Sequence, residues 1–207
     1  MAGCGGTRSE RDSPEIVPRL TSREPGTPED SRTLSAWKDP TWQGGRMSLL
    51  LRPFRDSDAG STREVFEAAI RGTAAAYYTP EQIDAWCPAT HDPQAWAAAR
   101  ARAWTIVAEV DDRVVGFSDL RDDGELDMLF VAPEAGGRGV ARALVAEVLA
   151  EARRRQLSRV TTRASRAARP AFERFGFVVD RPNENNIVRG VAVPNFEMHI
   201  DLPRPRH

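Results

Sequence analysis

From Met47 onward the apolar residues recur with regular periods, and the period changes along the chain. Residues 48–53 alternate as a half-buried strand does and predict a first strand. Asp56 stands where an N-cap belongs, ahead of a helix whose apolar positions Val65, Phe66, Ala69 and Ile70 share one face. Thr79-Pro80-Glu81-Gln82 combines a cap, proline at the first helical position and glutamine at the third, which predicts a helix start. Asp92-Pro93 repeats the cap-plus-proline signal for a helix through Trp96 to Arg102. A period of two then takes over. Residues 104–110, a turn at Asp111-Asp112 and residues 114–120 predict a hairpin, and Asp122-Asp123-Gly124 turns the chain into another strand at 126–131.

Val140, Leu144, Val148 and Leu149 return at helical spacing, so residues 137–155 predict one long amphipathic helix. A strand at 160–164, a short helix at 166–175 and closing strands at 176–179 and 191–200 complete the series. The order predicts an α+β (α/β layer) fold, a central sheet flanked by helices.

Residues 1–46 break the pattern. They carry Pro14, Pro18, Pro25, Pro28 and Pro40, alternating charges and few large aliphatics. Such a segment buries too little apolar area to offset its ordering entropy, and reads as a disordered extension or a partner-binding tail. Gly44-Gly45-Arg46 before Met47 has the look of a translated purine-rich ribosome-binding site, so Met47 is a second candidate start. The expected organisation is an extension at 1–46, one domain at 47–203 and a short tail at 204–207.

Composition narrows the class. Lys+Arg 29 against Asp+Glu 30 gives a net charge of -1, unlike the basic domain of a nucleic-acid binder. No apolar run has the length of a membrane span, and no apolar stretch follows the first charges as a secretory leader requires. Cys4 and Cys87 make no disulfide framework, and His91, His199 and His207 lack ligand spacing, so no metal is expected. The chain reads as cytoplasmic.

The chemistry-bearing stretch is Val131-Ala132-Pro133-Glu134-Ala135-Gly136-Gly137-Arg138-Gly139-Val140-Ala141, running from a strand into the long helix. Glycines there let backbone N–H groups converge, and the helix that follows adds the partial positive charge of its N-terminus. Together these suit a diphosphate, with Arg138 and Arg142 adding charge at the rim. A flexible strand–helix connection is the plain alternative. The stretch completes neither a Rossmann fingerprint nor a Walker loop.

At this point the chain resembles the GNAT (GCN5-related) N-acetyltransferases. The resemblance lies in Leu126-Asp127-Met128-Leu129-Phe130-Val131-x-Pro133, in Gly-Arg-Gly-Val-Ala with Leu144, and in Ser165-x-x-Ala168 before Phe172-Glu173-Arg174-Phe175-Gly176-Phe177. Ile70-Arg71-x-Thr73, Tyr78-Thr79-Pro80-Glu81-Gln82-Ile83-x-Ala85-Trp86, Arg189-Gly190-Val191 and Asn195-Phe196-x-Met198 are similar to its bacterial YafP-like subgroup. The resemblance implies a mixed, mostly antiparallel sheet and acetyl-CoA as co-substrate. It implies attack of an amine on the thioester without an acyl-enzyme, and it leaves room for a homodimer.

By the same resemblance, backbone at Leu129, Phe130 and Val131 would hold the pantetheine arm and polarise the thioester. Gly136, Gly137, Arg138, Gly139, Val140, Ala141 and Arg142 would hold the diphosphate. Ser165 takes the place where relatives often put asparagine on the arm. Two positions depart from the pattern: Gly136 stands for a Gln or Arg, and Phe172 for a tyrosine general acid.

An alkyl amine must shed a proton before it attacks, at a cost of about 4–5 kcal/mol near neutral pH. Asp127, beside the thioester strand, is the leading base; the same carboxylate would serve equally to satisfy backbone or an arginine. Glu125 and Asp119 follow it. Tyr78 replaces the missing acid, with Tyr77 its rival and a packed, hydrogen-bonded tyrosine the plain alternative. Trp86, Trp96, Trp104 and Asn195 are candidates to line an acceptor pocket. The expected activity is N-acetylation of a small-molecule amine. The alternatives are a protein N-terminal or lysine acetyltransferase and a non-catalytic acyl-CoA sensor.

Overall fold

The computed structural model describes residues 48–203; the extension through residue 46, Met47 and the tail 204–207 lie outside the described residues. The chain opens with β1 (Leu49–Pro53), a 3-10 turn at Asp56–Asp58, and α1 (Ala59–Ala68), which continues through a π turn at Ala69–Thr73. Two helices follow, α2 (Pro80–Trp86) and α3 (Pro93–Arg102), then strands β2 (Trp104–Val110), β3 (Arg113–Leu120), β4 (Glu125–Leu126) and β5 (Leu129–Val131). Next come α4 (Val140–Arg154), β6 (Arg159–Ser165), α5 (Arg169–Arg174) and β7 (Val178–Asn183). A two-stranded ribbon of β8 (Ile187–Val188) and β9 (Val191–Ala192) precedes β10 (Asn195–Asp201).

Local signals produce most of these boundaries. Thr79 Oγ1 accepts the Gln82 amide while Gln82 Oε1 accepts the Thr79 amide, a reciprocal box that starts α2. Asp92 Oδ1 accepts the Gln94 and Ala95 amides and starts α3. Asp111 and Asp112 adopt φ of 49° and 59°, the left-handed pair that closes the β2–β3 hairpin. At the first helix the carboxylate at work is Asp58 rather than Asp56. Asp58 is buried, accepts the Arg55 amide at 2.8 Å and takes both terminal nitrogens of Arg52, tying the helix start to β1.

One expected sheet is two. Order β1-β2-β3-β5 forms an antiparallel sheet, and β4-β6-β10-β7 forms another in which only β4–β6 is parallel. The strand expected at 126–131 is thereby divided: Leu126 pairs with Thr162, whereas Leu129 pairs with Ser118. The closing strand expected at 191–200 is also divided, because Val191 and Ala192 pair back on the ribbon.

Helix α4 spans the division. Its first turns, at Val140 and Leu144, pack with Ile106 and Ala108 of the first sheet. Its later turns, at Val145, Val148, Leu149 and Ala152, pack with Leu126, Val160, Ala164 and Met198 of the second. Each fully buried aliphatic there contributes about 1.5–3 kcal/mol, so one helix holds on to both sheets. Gly116 lets the helix approach β3: a Cβ there would meet Val140 at 3.1 Å and Leu144 at 3.2 Å.

Candidate active site

The division of β4 from β5 makes the cleft. Strand β6 runs beside β4 only at Thr161 and Thr162, and beyond them β5 and β6 diverge. Met128 O accepts the Asp119 amide and Ala132 N–H donates to Val115 O, so alternation turns the Phe130 backbone toward β3. Leu129 and Val131 therefore present their N–H and C=O groups on the edge facing the cleft. The side chain of Phe130 lines the cavity instead.

A buried carboxylate holds the break. In a regular ladder the Met128 amide would donate to the Asp119 carbonyl; here it donates to Asp119 Oδ1 at 2.9 Å, while Ser118 Oγ donates to Met128 O at 2.7 Å. Asp119 is 1% exposed, and its Oδ2 lies 2.9 Å from Arg100 Nη1, a close charge pair without hydrogen-bond alignment. Burial pushes its pKa up to about 6, against the pull of Arg100 and with the push of Asp127. Glu125 bridges Arg121 at 3.0 Å and Arg163 at 2.8 Å across the root of the cleft, so it serves as a strap.

Asp127 lines the cavity at the break, with Arg163 at 3.7 Å and Arg121 at 3.9 Å. Tyr78 also lines it, but its hydroxyl is engaged on both sides. It donates to Pro194 O at 2.6 Å and accepts the Arg166 amide at 2.9 Å. Burial raises its pKa. Tyr77 is exposed and outside the cavity lining. Ser165 Oγ accepts the Ala168 amide, which leaves its own proton for a partner at the cavity wall. Asn195, opposite Ser165 on β10, also lines the cavity, and its Oδ1 is buried without a partner among the described residues. Phe172 closes the floor, packed edge-on against Phe175 and Phe177.

The glycine turn lies between β5 and α4. After a 3-10 turn at Pro133–Ala135, Gly137 takes φ of 73° and Gly139, at the helix N-cap, takes 81°. Left-handed backbone favours glycine at both. A Cβ at either would meet nothing within 4 Å among the described residues, which leave open space before this stretch of backbone. The first intrahelical bond runs from the Ala143 amide to Gly139 O, and the amides of Val140, Ala141 and Arg142 point out of the helix end. The helix expected from residue 137 starts at Val140 because these two glycines turn the chain before it.

The cavity encloses about 650 Å³ and extends from the cleft under α1 and α3. Trp86, Trp96, Phe66 and Phe130 form one wall as a connected set of tilted ring contacts. Trp104 packs in the core instead, between the sheets and α4. Cys87 is fully buried, with its thiol pKa raised by burial. Arg63 and Arg100, absent from the sequence-derived candidates, reach this end of the cavity from α1 and α3. Their spacing from Phe66 and Trp96, three and four residues on one helix face, was the available signal, and the abundance of arginine hid it. No group of three His, Cys, Asp or Glu able to hold a metal occurs among the described residues, nor any helix long and apolar enough to cross a membrane.

A family model described as an acetyltransferase (GNAT) domain matches residues 74–200. The N-acetyltransferase YafP of Escherichia coli (strain K12) is 33% identical over 160 residues, which cover 77% of this chain and 99% of that protein. The crystal structure of a GCN5-related N-acetyltransferase from Rhodopseudomonas palustris is 31% identical with a TM-score of 0.72, covering 77% of this chain and 100% of that one. The paia N-acetyltransferase of Thermoplasma acidophilum, solved in complex with coenzyme A, shares the fold at 18% identity, with a TM-score of 0.62 over 75% of this chain and 100% of that one.

Proposed function

The chain belongs to the GNAT acetyltransferases, and from that membership we propose that it carries the acetyl group of acetyl-CoA to the amine of a small molecule, by direct attack in a ternary complex. The observation that supports this most is the edge of β5 at Leu129 and Val131, unpaired among the described residues, which runs from the aromatic cavity to the glycine turn. The coenzyme supplies an activated acetyl thioester. Amides from Gly137 to Ala141 suit its diphosphate, since the open space at Gly137 and Gly139 is the room a phosphate needs. Arg138 and Arg142 add positive charge beside them. The edge at Leu129 and Val131 suits the amide-bearing arm, with Ser165 on the facing strand.

The reaction forms one N–C bond and breaks one C–S bond. Amine nitrogen attacks the thioester carbon, and a cleft-facing amide of β5 stabilises the developing oxyanion, an interaction worth a few kcal/mol. Asp127, directly or through water, takes the proton the amine gives up. The leaving thiolate needs a proton in turn. Tyr78 reaches the cavity, but its own proton lies on Pro194 O and its pKa is raised, so it is a weak donor to a thiol of ordinary pKa near 8.5. The arrangement favours a positioning role: Tyr78 joins the α2 side to Pro194 and Arg166, while the proton collected at Asp127 returns through water to sulfur.

A cavity closed by tryptophans and phenylalanines suits a small acceptor better than a protein chain. Thiol release from acetyl-CoA, followed with purified protein and a panel of amines, tests the proposal. Turnover with at least one small amine upholds it. Tight acetyl-CoA binding with no turnover on any amine or peptide defeats it.

A further inference from the structure

Of two buried arginines at the aromatic end of the cavity, only Arg100 is paired with a carboxylate among the described residues. Arg63 is 7% exposed and Arg100 5%, and both line the cavity. They share one ring, with the Arg63 guanidinium 5.6 Å and the Arg100 guanidinium 5.0 Å from the centre of Trp96. Arg63 also lies 5.0 Å from the centre of the Phe66 ring. Arg100 has Asp119 at 2.9 Å. Arg63 makes no ion pair among the described residues: its Nη2 donates to Pro88 O at 3.1 Å and meets Cys87 Sγ at 3.6 Å. The Nε of each arginine is buried without a hydrogen-bond acceptor among the described residues.

A guanidinium withdrawn from water is unfavourable unless an anion joins it, and ring faces offset that only in part. Its planar fork of donors matches a carboxylate. The coenzyme's diphosphate does not account for the pair, because the glycine turn assigned to it precedes α4, whereas Arg63 and Arg100 stand on α1 and α3. We infer that the acceptor is an amine that also bears a carboxylate, which Arg63 holds with Arg100 beside it while the acceptor's apolar body lies against Trp96 and Phe66. This rests on reading the cavity as the acceptor site.

The full chain decides it with matched acceptors. The amines 4-aminophenylacetate and 5-aminopentanoate are each compared with their methyl ester and carboxamide, at saturating acetyl-CoA. Neutralising the remote carboxyl barely changes the amine, so a difference reports the anion site. The carboxylate forms should show kcat/KM higher by at least about tenfold, as loss of a hydrogen bond to a charged group implies. Arg63→Gln should bring that ratio to about two or less with KM for acetyl-CoA unchanged, and Arg63→Lys should fall between. Wild-type turnover of ester or carboxamide equal to the carboxylate overturns the inference while leaving acetyl transfer intact. If no amine is turned over, quenching of tryptophan fluorescence in protein loaded with acetyl-CoA separates the two readings. Saturable quenching by the carboxylate alone upholds the anion site though the transfer reading fails; equal quenching by both forms, or by neither, overturns it.

Discussion

Asp119 opens the cleft by accepting the Met128 amide at 2.9 Å in place of a backbone carbonyl. The same carboxylate balances Arg100, so the break between β4 and β5 rests on one buried, charged side chain. Removing one partner of such a pair leaves the other uncompensated, at about 3–5 kcal/mol. Asp119→Ala should lose stability on that scale in urea melts, and its acetyl transfer should fall with it.

The pKa of Asp119, about 6 against an ordinary 3.8, also sets a pH dependence. The folded chain holds this proton more tightly than the unfolded chain. Between pH of about 4 and about 6 the native state therefore binds more protons, and the contribution of Asp119 to stability declines as pH rises. It is most favourable below the unfolded value and level above the folded one. The stability difference between wild type and Asp119→Asn should fall by up to about 3 kcal/mol across that window. A difference independent of pH there would show that Asp119 does not titrate in it.

Gly139 and Gly137 owe their identity to backbone conformation, because a Cβ would strike nothing among the described residues. Gly139→Ala should cost only about 1–2 kcal/mol of stability. Its affinity for acetyl-CoA, measured by calorimetry, should drop at least about tenfold, since the methyl group fills the space proposed for phosphate. Unchanged affinity would place the diphosphate elsewhere.

Asp127 as base makes a prediction about pairs of acceptors. Asp127→Asn should lower kcat for an alkyl amine by about 10²–10⁴, the usual yield of a positioned base. An aromatic amine, already neutral near pH 7, should lose far less. Equal losses for both would assign Asp127 to structure.

Tyr78→Phe distinguishes anchoring from acid catalysis. It strands the Pro194 carbonyl and the Arg166 amide, at about 1–3 kcal/mol of stability. As an anchor, Tyr78 should mainly affect KM for the acceptor. A fall of about 10² or more in kcat with KM unchanged would make it the proton donor.

Much of this chain was legible because the signals act within a few residues. Thr79 and Gln82 cap each other, Asp92 caps its own helix, and the glycines at 137 and 139 set their own dihedrals. The apolar stripe of α4 follows from helical periodicity alone. Residues 126–131 read as one strand in the sequence because periodicity reports which face is buried and says nothing about the neighbour. Its two ends differ only in partner, Thr162 for Leu126 and Ser118 for Leu129.

The sequence by itself determined the helices and their caps, the strand–glycine turn–helix unit and, through its motifs, the family. Tertiary structure alone decided the splay of the two sheets, the engagement of the Tyr78 hydroxyl by residues 116 and 88 positions away, and the gathering of Arg63, Arg100 and Trp96 at one end of the cavity. The physical reason is that dihedral preferences and caps act locally, whereas pairing partners, burial of charge and the shape of a cavity depend on contacts between segments the chain order keeps apart.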